Sequence, residues 1–242
     1  MSTYQVTDHE YLLPVSTTVD ERERAARVAL LPVGSFEQHG PFLPLITDTV
    51  VAVTVARAIG AGHPVLQLPP VTISCSHEHA SWPGTVSISS ATLSAIVTDV
   101  ASSLHASGID RLVIVSGHGG NYVLSNVVQE SAGRMALYPA ETDWARARLA
   151  AGLATPMDSD MHAGELETSI LLHTHPGLVG PDYAAHDHLA EHRDHMLTLS
   201  LAPYTKSGVV GRPSLASAEK GELALANLVD SFAGVLVSLG LS

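Results

Sequence analysis

The segment RLVIVSG, residues 111–117, is a short run of apolar and β-branched residues that ends in glycine. Such a run is typical of a strand buried on both faces of a parallel sheet, because a strand with one exposed face would alternate with polar residues. The segment RVALLPVG, residues 27–34, has the same character, and helical patterns separate the two. This alternation predicts an α/β fold with a mostly parallel sheet covered by helices on both faces.

Apolar residues at helical spacing predict five helices around these strands. Ser, Thr or Asp at several of their starts and Gly at several of their ends are typical of helix caps. No repeat period or linker divides the chain, so we expect one domain over residues 1–242. The predicted helices span residues 48–62, 89–108, 122–137, 163–175 and 218–240.

The composition limits the classes of binding partner and the cellular compartments that we expect for this protein. Asp and Glu outnumber Lys and Arg by 24 to 12, which gives a formal net charge of −12. Nucleic acid and anionic membrane surfaces are therefore not expected as partners. We find no run of about 18 apolar residues typical of a membrane span and no secretory signal pattern in residues 1–27. Together with the single cysteine, Cys75, these features predict a cytoplasmic protein.

Both strand runs lead into polar loops, GSFEQHG at residues 34–40 and SGHGGN at residues 116–121. Because the carboxyl ends of parallel strands meet at one edge of a sheet, we expect these loops to lie together. Glu37 and His39 are two residues apart in an extended segment, so both side chains can face one centre. The sheet edge is thus predicted to collect candidate ligands from both loops.

Further candidate ligands flank these loops. Asp48 begins a predicted helix, whose N-terminus favours a carboxylate. His118 follows the central strand between two glycines, which allow the backbone to approach a ligand closely. His162 and Glu165 are three residues apart, which would place them on one face of a helix. Glu167 would point about 140° away from His162 at ~100° per residue, so we expect it to cap or brace the site.

These side chains offer imidazole and carboxylate ligands, which suit Zn, Mn or Fe in a two-metal hydrolytic site. Each motif alone is more often a polar turn than a metal site. Every piece, however, falls at the end of a predicted element. The combination therefore favours a metal centre over a set of unrelated turns.

Four segments resemble the motifs of the creatininase family, in the same order. They are LPVGSFEQHGPFLPLITD, CSHEHASWPGTVS, VSGHGGN and HAGELETS. The resemblance implies a three-layer α/β/α fold, two divalent metal ions per subunit and hydrolysis of amide bonds. It also implies a homo-oligomer, most simply a hexamer.

Carried over by motif, the resemblance implies that Glu37 and His118 bind one metal ion. His39 would bind the other, and Asp48 would bridge both. One departure is Gly120, which stands where creatininase carries a metal-binding glutamate. We therefore expect Glu165, in HAGELETS, to supply this ligand and to serve in catalysis.

The resemblance also implies residues that handle the substrate. His162 matches the histidine that moves protons, and Ser76 matches a residue that contacts substrate. Glu78, His79 and Gly119 lie in the same loops and are expected to line the substrate site.

These features predict a metal-dependent amidohydrolase that cleaves a small cyclic or linear amide with a metal-bridging hydroxide. The stretch TPMDSDM, residues 155–161, lacks the tryptophans that gate creatinine in creatininase, and Trp144 is the one nearby candidate. Creatinine is therefore expected to be a poor substrate. Two same-family alternatives are a peptidase of a modified peptide, as in mycofactocin maturation, and a formamide deformylase. A catalytically silent metal-binding protein is the alternative from another class.

Overall fold

The computed structural model describes residues 13–241, so part of the segment inspected for a secretory signal lies outside the described residues. Strands β1 to β4 span Val28–Val33, Leu66–Gln67, Arg111–Ser116 and Met135–Tyr138. Helices α1 to α8 span Thr18–Arg24, Thr47–Gly62, Ser90–Ala106, Val123–Glu130, Glu141–Ala150, Glu165–Thr174, Met196–Leu199 and Ala218–Ser238. Strands and helices alternate from Thr18 to Ala150, in the manner that the sequence predicts.

The four strands form one parallel sheet in the order β2, β1, β3, β4. In its centre Leu30 of β1 pairs with Val113 of β3, and Leu31 pairs with Ile114. The parallel sheet predicted from the sequence is confirmed. Because β1 and β3 are neighbours, the polar loops that follow them start side by side at the sheet edge.

Successive residues of β1 and β3 point to opposite faces of the sheet. Leu30 and Val113 pack into a core formed with α2, α5 and α8. Leu31 and Ile114 pack into a second core formed with α3 and α4. Helices therefore cover both faces, and the three-layer α/β/α arrangement is confirmed.

The helix predicted at residues 122–137 is wrong in its second half. α4 ends at Glu130, and Ala132 and Gly133 then adopt positive φ angles of 54° and 78°. These left-handed residues turn the chain back toward the sheet. The apolar residues that follow form β4 beside β3, because a short apolar run fits either a helix or a buried strand.

Among the described residues, α8 is the one helix long and apolar enough to match a membrane span by composition. Its residues Ala224, Leu228 and Phe232 are buried in the core on one side of the sheet. Gly221 lets α8 approach α6 closely, since a Cβ there would lie 2.0 Å from the backbone oxygen of Ser169. This contact holds α6, which carries part of the site described below.

Candidate metal centre

Four side chains, three from loops after two strands and one from the start of a helix, meet at the carboxyl edge of the sheet. Glu37 and His39 follow β1. His118 follows β3, and Asp48 lies in the first turn of α2. All four residues are buried, with at most 8% of any one exposed. The structure therefore brings together the residues that the two polar loops and the start of α2 were expected to supply.

Asp48 links the two histidines. Its Oδ1 lies 2.9 Å from Nε2 of His39, and its Oδ2 lies 2.9 Å from Nδ1 of His118. Ser35 donates a hydrogen bond of 2.7 Å to the same Oδ2. A carboxylate with one oxygen toward each imidazole is suited to bridge two cations.

Backbone carbonyls fix the outer nitrogen of both histidines. Nδ1 of His39 donates to the carbonyl oxygen of Glu37 at 3.1 Å, and Nε2 of His118 donates to that of Cys75 at 2.8 Å. A carbonyl oxygen only accepts, so each outer nitrogen carries a proton. The inner nitrogens, Nε2 of His39 and Nδ1 of His118, are thereby oriented toward Asp48 as ligand atoms.

The Glu37 carboxylate is fully buried, and neither of its oxygens accepts a hydrogen bond from a described residue. Nε2 of His79 lies 3.2 Å from its Oε1, and Nε2 of His118 lies 3.3 Å from its Oε2. A buried carboxylate whose oxygens accept no well-aligned hydrogen bond is costly unless a cation compensates its charge. Glu37 therefore supports the fit of metal ions to this cluster.

Three sets of side chains have ligand atoms that lie within 4.8 Å of one another. Carboxylate oxygens and imidazole nitrogens suit Zn²⁺, Mn²⁺ or Fe²⁺. Two of the sets share Asp48, so two ions bridged by one carboxylate fit the donor arrangement. The sets are Glu37 with Asp48 and His118, His39 with Asp48 and Glu167, and Glu37 with His39 and His162.

The helix of the HAGELETS motif starts later than predicted. α6 spans Glu165–Thr174, and Ala163 before it adopts a positive φ of 51°. His162 therefore lies outside the helix, and the prediction that it shares a helix face with Glu165 is wrong. The helical spacing that assigned Glu167 only to capping or bracing fails for the same reason.

Glu165 lies outside the three ligand sets, and its carboxylate is satisfied by the protein. It accepts hydrogen bonds from the backbone N–H groups of Ala154 and Thr155 and from the Thr155 hydroxyl. Lys220 of α8 donates to its Oε1 at 2.6 Å. Burial opposes ionisation, but Lys220 and Thr155 outweigh burial and lower the pKa of Glu165. The assignment of Glu165 as a metal ligand and catalytic residue is therefore corrected, because its carboxylate anchors α6 instead.

Glu167 occupies the place expected for Glu165. Its carboxylate belongs to the set with His39 and Asp48, and its Oε2 accepts a hydrogen bond of 2.6 Å from the N–H of Ala163. Burial raises its pKa to about 7, although the charge of His39 opposes this shift. The sequence carried one signal for this arrangement, because Gly164 is an accepted helix N-cap and would have moved the helix start.

Two further histidines flank Glu37. Nε2 of His162 donates to the carbonyl oxygen of Gln38 at 2.5 Å, which leaves Nδ1 3.7 Å from Oε1 of Glu37. Nδ1 of His79 accepts from the Gln38 side-chain amide at 2.8 Å, so its protonated Nε2 faces Glu37. Burial and neighbouring histidines lower the pKa of His79 to about 3 and that of His162 well below its usual value. Both rings are therefore neutral.

The charges of the cluster favour bound cations. Burial raises the pKa of Glu37 to about 8. Burial alone would lower the pKa of His39 and of His118, but the carboxylates beside them raise these values to about 9 and about 10. Burial would raise the pKa of Asp48, but the two histidines hold it well below its usual value. Positive charge stabilises these groups, whether protons or metal ions supply it.

A cavity of about 500 Å³ opens beside the cluster. His118 and Glu167 line it on the cluster side, and Trp144 and Ile170 contribute apolar walls. This volume lies within the ~300–1,000 Å³ of pockets that bind drug-sized ligands. The arrangement places candidate metal ligands next to space for a substrate.

The predicted substrate-binding residues take different positions. Gly119 lines the cavity. Ser76 and His79 are buried and do not line it, and the Ser76 hydroxyl has no hydrogen-bond partner among the described residues. Glu78 lies at the border of the cluster, with 15% of its side chain exposed. Trp144, the one tryptophan near residues 155–161 that the sequence offers as a candidate gate, lines the cavity.

Comparisons with known proteins identify relatives of this chain. A sequence model of the creatininase family, described as creatinine amidohydrolase, matches residues 15–236. The mycofactocin precursor peptide peptidase of Mycolicibacterium smegmatis is 36% identical over 218 residues, which cover 85% of this chain and 83% of that protein. The creatinine amidohydrolase of Pseudomonas putida is 27% identical over 241 residues, which cover 89% and 93%.

Solved structures show the same fold. A structure described as a manganese creatininase superimposes with a TM-score of 0.76 at 26% sequence identity. The superposition covers 89% of this chain and 93% of that chain. The similarity therefore extends over nearly the whole of both proteins.

Proposed function

The chain belongs to the creatininase family of metal-dependent amidohydrolases, and we propose that it cleaves an amide bond in a peptide or modified peptide. The observation that carries this proposal is a pair of ligand sets sharing Asp48 beside a cavity of about 500 Å³. The cavity exceeds the needs of a small cyclic amide and falls in the range of larger ligands. The 36% identity to a peptidase of a precursor peptide supports the same substrate class.

Two divalent ions per subunit are proposed, with Mn²⁺ or Zn²⁺ suited to the donor set. Glu37, Asp48 and His118 would hold one, and His39, Asp48 and Glu167 would hold the other. When bound, such ions supply a Lewis acid for the amide carbonyl and lower the pKa of a water molecule. The carbonyl contacts of His39 and His118 keep their inner nitrogens aimed at the ions.

His162 is proposed to move the proton that amide cleavage requires. Its Nε2–H is committed to the Gln38 carbonyl, and burial with neighbouring histidines keeps the ring neutral. Nδ1 is therefore an acceptor that faces the cluster at Glu37. A neutral imidazole held in one orientation can take a proton and return it to the leaving nitrogen, which is otherwise a poor leaving group.

A second candidate is the hydrolysis of a small amide such as creatinine, which the description of the family model favours. Residues 155–161 contain no tryptophan to close over such a substrate. Met157 and Met161 line the cavity there instead. We therefore expect creatinine to be the poorer substrate.

The test is a turnover assay of protein loaded with Mn²⁺ or Zn²⁺. We expect short peptides with apolar side chains to be hydrolysed with a kcat/KM at least about 100-fold above that for creatinine, which corresponds to about 2.7 kcal/mol. The Asp48→Ala variant is the inactive control. A creatinine kcat/KM of ~10⁴ M⁻¹s⁻¹ or more without peptide cleavage would contradict the peptidase proposal.

We further propose a cytoplasmic homohexamer of single-domain subunits. The lone Cys75 supports a reducing compartment, and the hexamer rests on the family resemblance. Light scattering at micromolar concentration should give about six times the 25.3 kDa chain mass. A monomer in that experiment would refute the assembly.

A further inference from the structure

Glu78 reaches the border of the cluster through space that residue 120 leaves open. It lies in a single turn of 3₁₀ helix, His77–His79, and its Oε1 is 3.7 Å from Nε2 of His118. A Cβ added to Gly120 would lie 2.0 Å from that same oxygen and 2.5 Å from Nε2 of His118. Any side chain at residue 120 would therefore displace the Glu78 carboxylate.

The Glu78 carboxylate has no hydrogen-bond donor among the described residues. The 3.7 Å to His118 is too long for a hydrogen bond. Nε2 of His118 already donates to the Cys75 carbonyl. With only 15% of its side chain exposed, this carboxylate is partly removed from water without a replacement partner.

Glu78 lies beside the cavity, next to two of the residues that line it. Nε2 of His118 is 3.7 Å from its carboxylate, and Tyr122 is close enough to interact with its charge. Burial raises the pKa of Tyr122, and the charge of Glu78 adds to this shift. Among the described residues, Arg148 is the one Lys or Arg side chain that lines the cavity, and it is paired with Asp160 at 2.6 Å.

We propose that Glu78 is a specificity-determining carboxylate that binds an amino group of the substrate next to the scissile amide, and that Gly120 holds it there by lacking a side chain. The inference rests on the proposed amide hydrolysis and names the substrate feature that the site selects. Substrates with a free ammonium group near the amide bind well, and those whose amine is acylated bind less well. A charge-assisted hydrogen bond is the interaction that distinguishes the two.

The test uses leucinamide and N-acetylleucinamide, which differ in the ammonium group, with metal-loaded enzyme. The wild type should prefer leucinamide in binding affinity by calorimetry and in kcat/KM by ammonia release. Glu78→Gln, which removes the charge, should reduce this preference by about 10–100-fold, as expected for one charge-assisted hydrogen bond. Gly120→Ala, which keeps the charge but displaces it, should reduce the preference similarly. The double variant should lose little more than either single variant, because both act through one contact.

Gly177→Ala is the matched control. A Cβ at residue 177 meets no atom within 4 Å and this residue does not line the cavity, so the variant should keep the preference for leucinamide. Metal content should stay at the wild-type value in Glu78→Gln and in the control. Gly120→Ala also crowds His118, so its preference is compared with that of the wild type at equal metal occupancy. Loss of an ion in Glu78→Gln would make Glu78 a metal ligand and overturn the proposal, as would equal losses for both probes.

Failure of the underlying function is distinguishable from failure of this inference. Wild type that cleaves neither probe nor any peptide would refute the proposed function. The calorimetric affinities of the two probes would still decide the role of Glu78. Equal affinity of the wild type for leucinamide and N-acetylleucinamide would overturn it.

Discussion

Glu165, at the start of α6, and Glu37, in the loop after β1, are both buried carboxylates, but their hydrogen bonding differs. Both oxygens of Glu165 accept hydrogen bonds, from Thr155, Ala154 and Lys220. The oxygens of Glu37 accept none from the described residues, although the residue is equally buried. The surroundings of Glu165 are complete within the protein and contribute to folding. Those of Glu37 are complete only with bound cations, which marks a binding site.

The largest effect is expected from Asp48→Ala, which removes the carboxylate that joins His39 and His118. Both ligand sets that share Asp48 lose an oxygen. We expect both ions to be lost and turnover to fall by at least about 10³-fold, or about 4 kcal/mol. Elemental analysis and kinetics measure the two effects. Retention of two tightly bound ions would contradict the role of Asp48 as a bridge.

The second largest effect on activity is expected from Glu167→Gln, which changes a proposed metal ligand. This change should weaken the ion held with His39 and Asp48 while leaving the other in place. Mutation of a residue that merely hydrogen-bonds to a metal ligand lowers activity by ~10–100-fold, so turnover should fall by at least this factor. The melting temperature of the metal-free protein should change little. Full occupancy of both ions at normal activity would exclude Glu167 as a ligand.

Glu165→Gln is the matched substitution that tests the contribution of Glu165 to folding stability. It leaves Lys220 without its buried carboxylate and weakens the contacts with Thr155. We expect a loss of about 2–3 kcal/mol in the free energy of unfolding with unchanged metal content. Denaturant unfolding and elemental analysis report the two quantities. Loss of an ion with normal stability would reverse the assignments of Glu165 and Glu167.

Acidification should weaken metal binding. In metal-free protein at pH 7, Glu37, His39 and His118, with pKa values raised to about 8, 9 and 10, hold protons that metal ions must displace. Metal affinity therefore rises as pH increases from 6 toward 9, and binding at pH 7 releases protons. Calorimetry in buffers of different ionisation enthalpy counts these protons. Metal binding without proton release at pH 7 would contradict the charge assignment.

The smallest effect tests how α8 supports α6. Gly221→Ala places a methyl group against the backbone oxygen of Ser169 and should cost about 1–3 kcal/mol of stability. Gly177→Ala is its control, because a Cβ there meets no atom within 4 Å. Thermal unfolding of the two variants compares them. Equal melting temperatures would show that the close approach of α8 is not needed.

The sequence predicted the sheet and most of the cluster for one physical reason. Buried parallel strands such as β1 and β3 have uninterrupted apolar sequences, and the residues that follow them meet at the carboxyl edge of the sheet. Glu37, His39 and His118 follow directly from this geometry. The burial and the hydrogen bonds of these side chains depend on residues distant in sequence, such as Cys75, and could not be predicted.

The sequence failed where a local conformation overrode a periodic pattern. Ala163 adopts a left-handed φ before α6, so spacing counted through a helix chose Glu165 instead of Glu167. Ala132 adopts the same region and ends α4 before the apolar residues of β4. Alanine rarely takes this conformation, so Ala163 and Ala132 themselves carry no sequence signal, although the glycine that follows each of them is a residue typical of helix ends.

The most direct test of the two-ion centre is anomalous diffraction from crystals of the wild type grown with Mn²⁺. We expect two anomalous peaks, both next to Asp48. One peak should lie among Glu37, Asp48 and His118, and the other among His39, Asp48 and Glu167. A single peak, or a second peak coordinated by Glu165 or Glu78, would contradict this expectation.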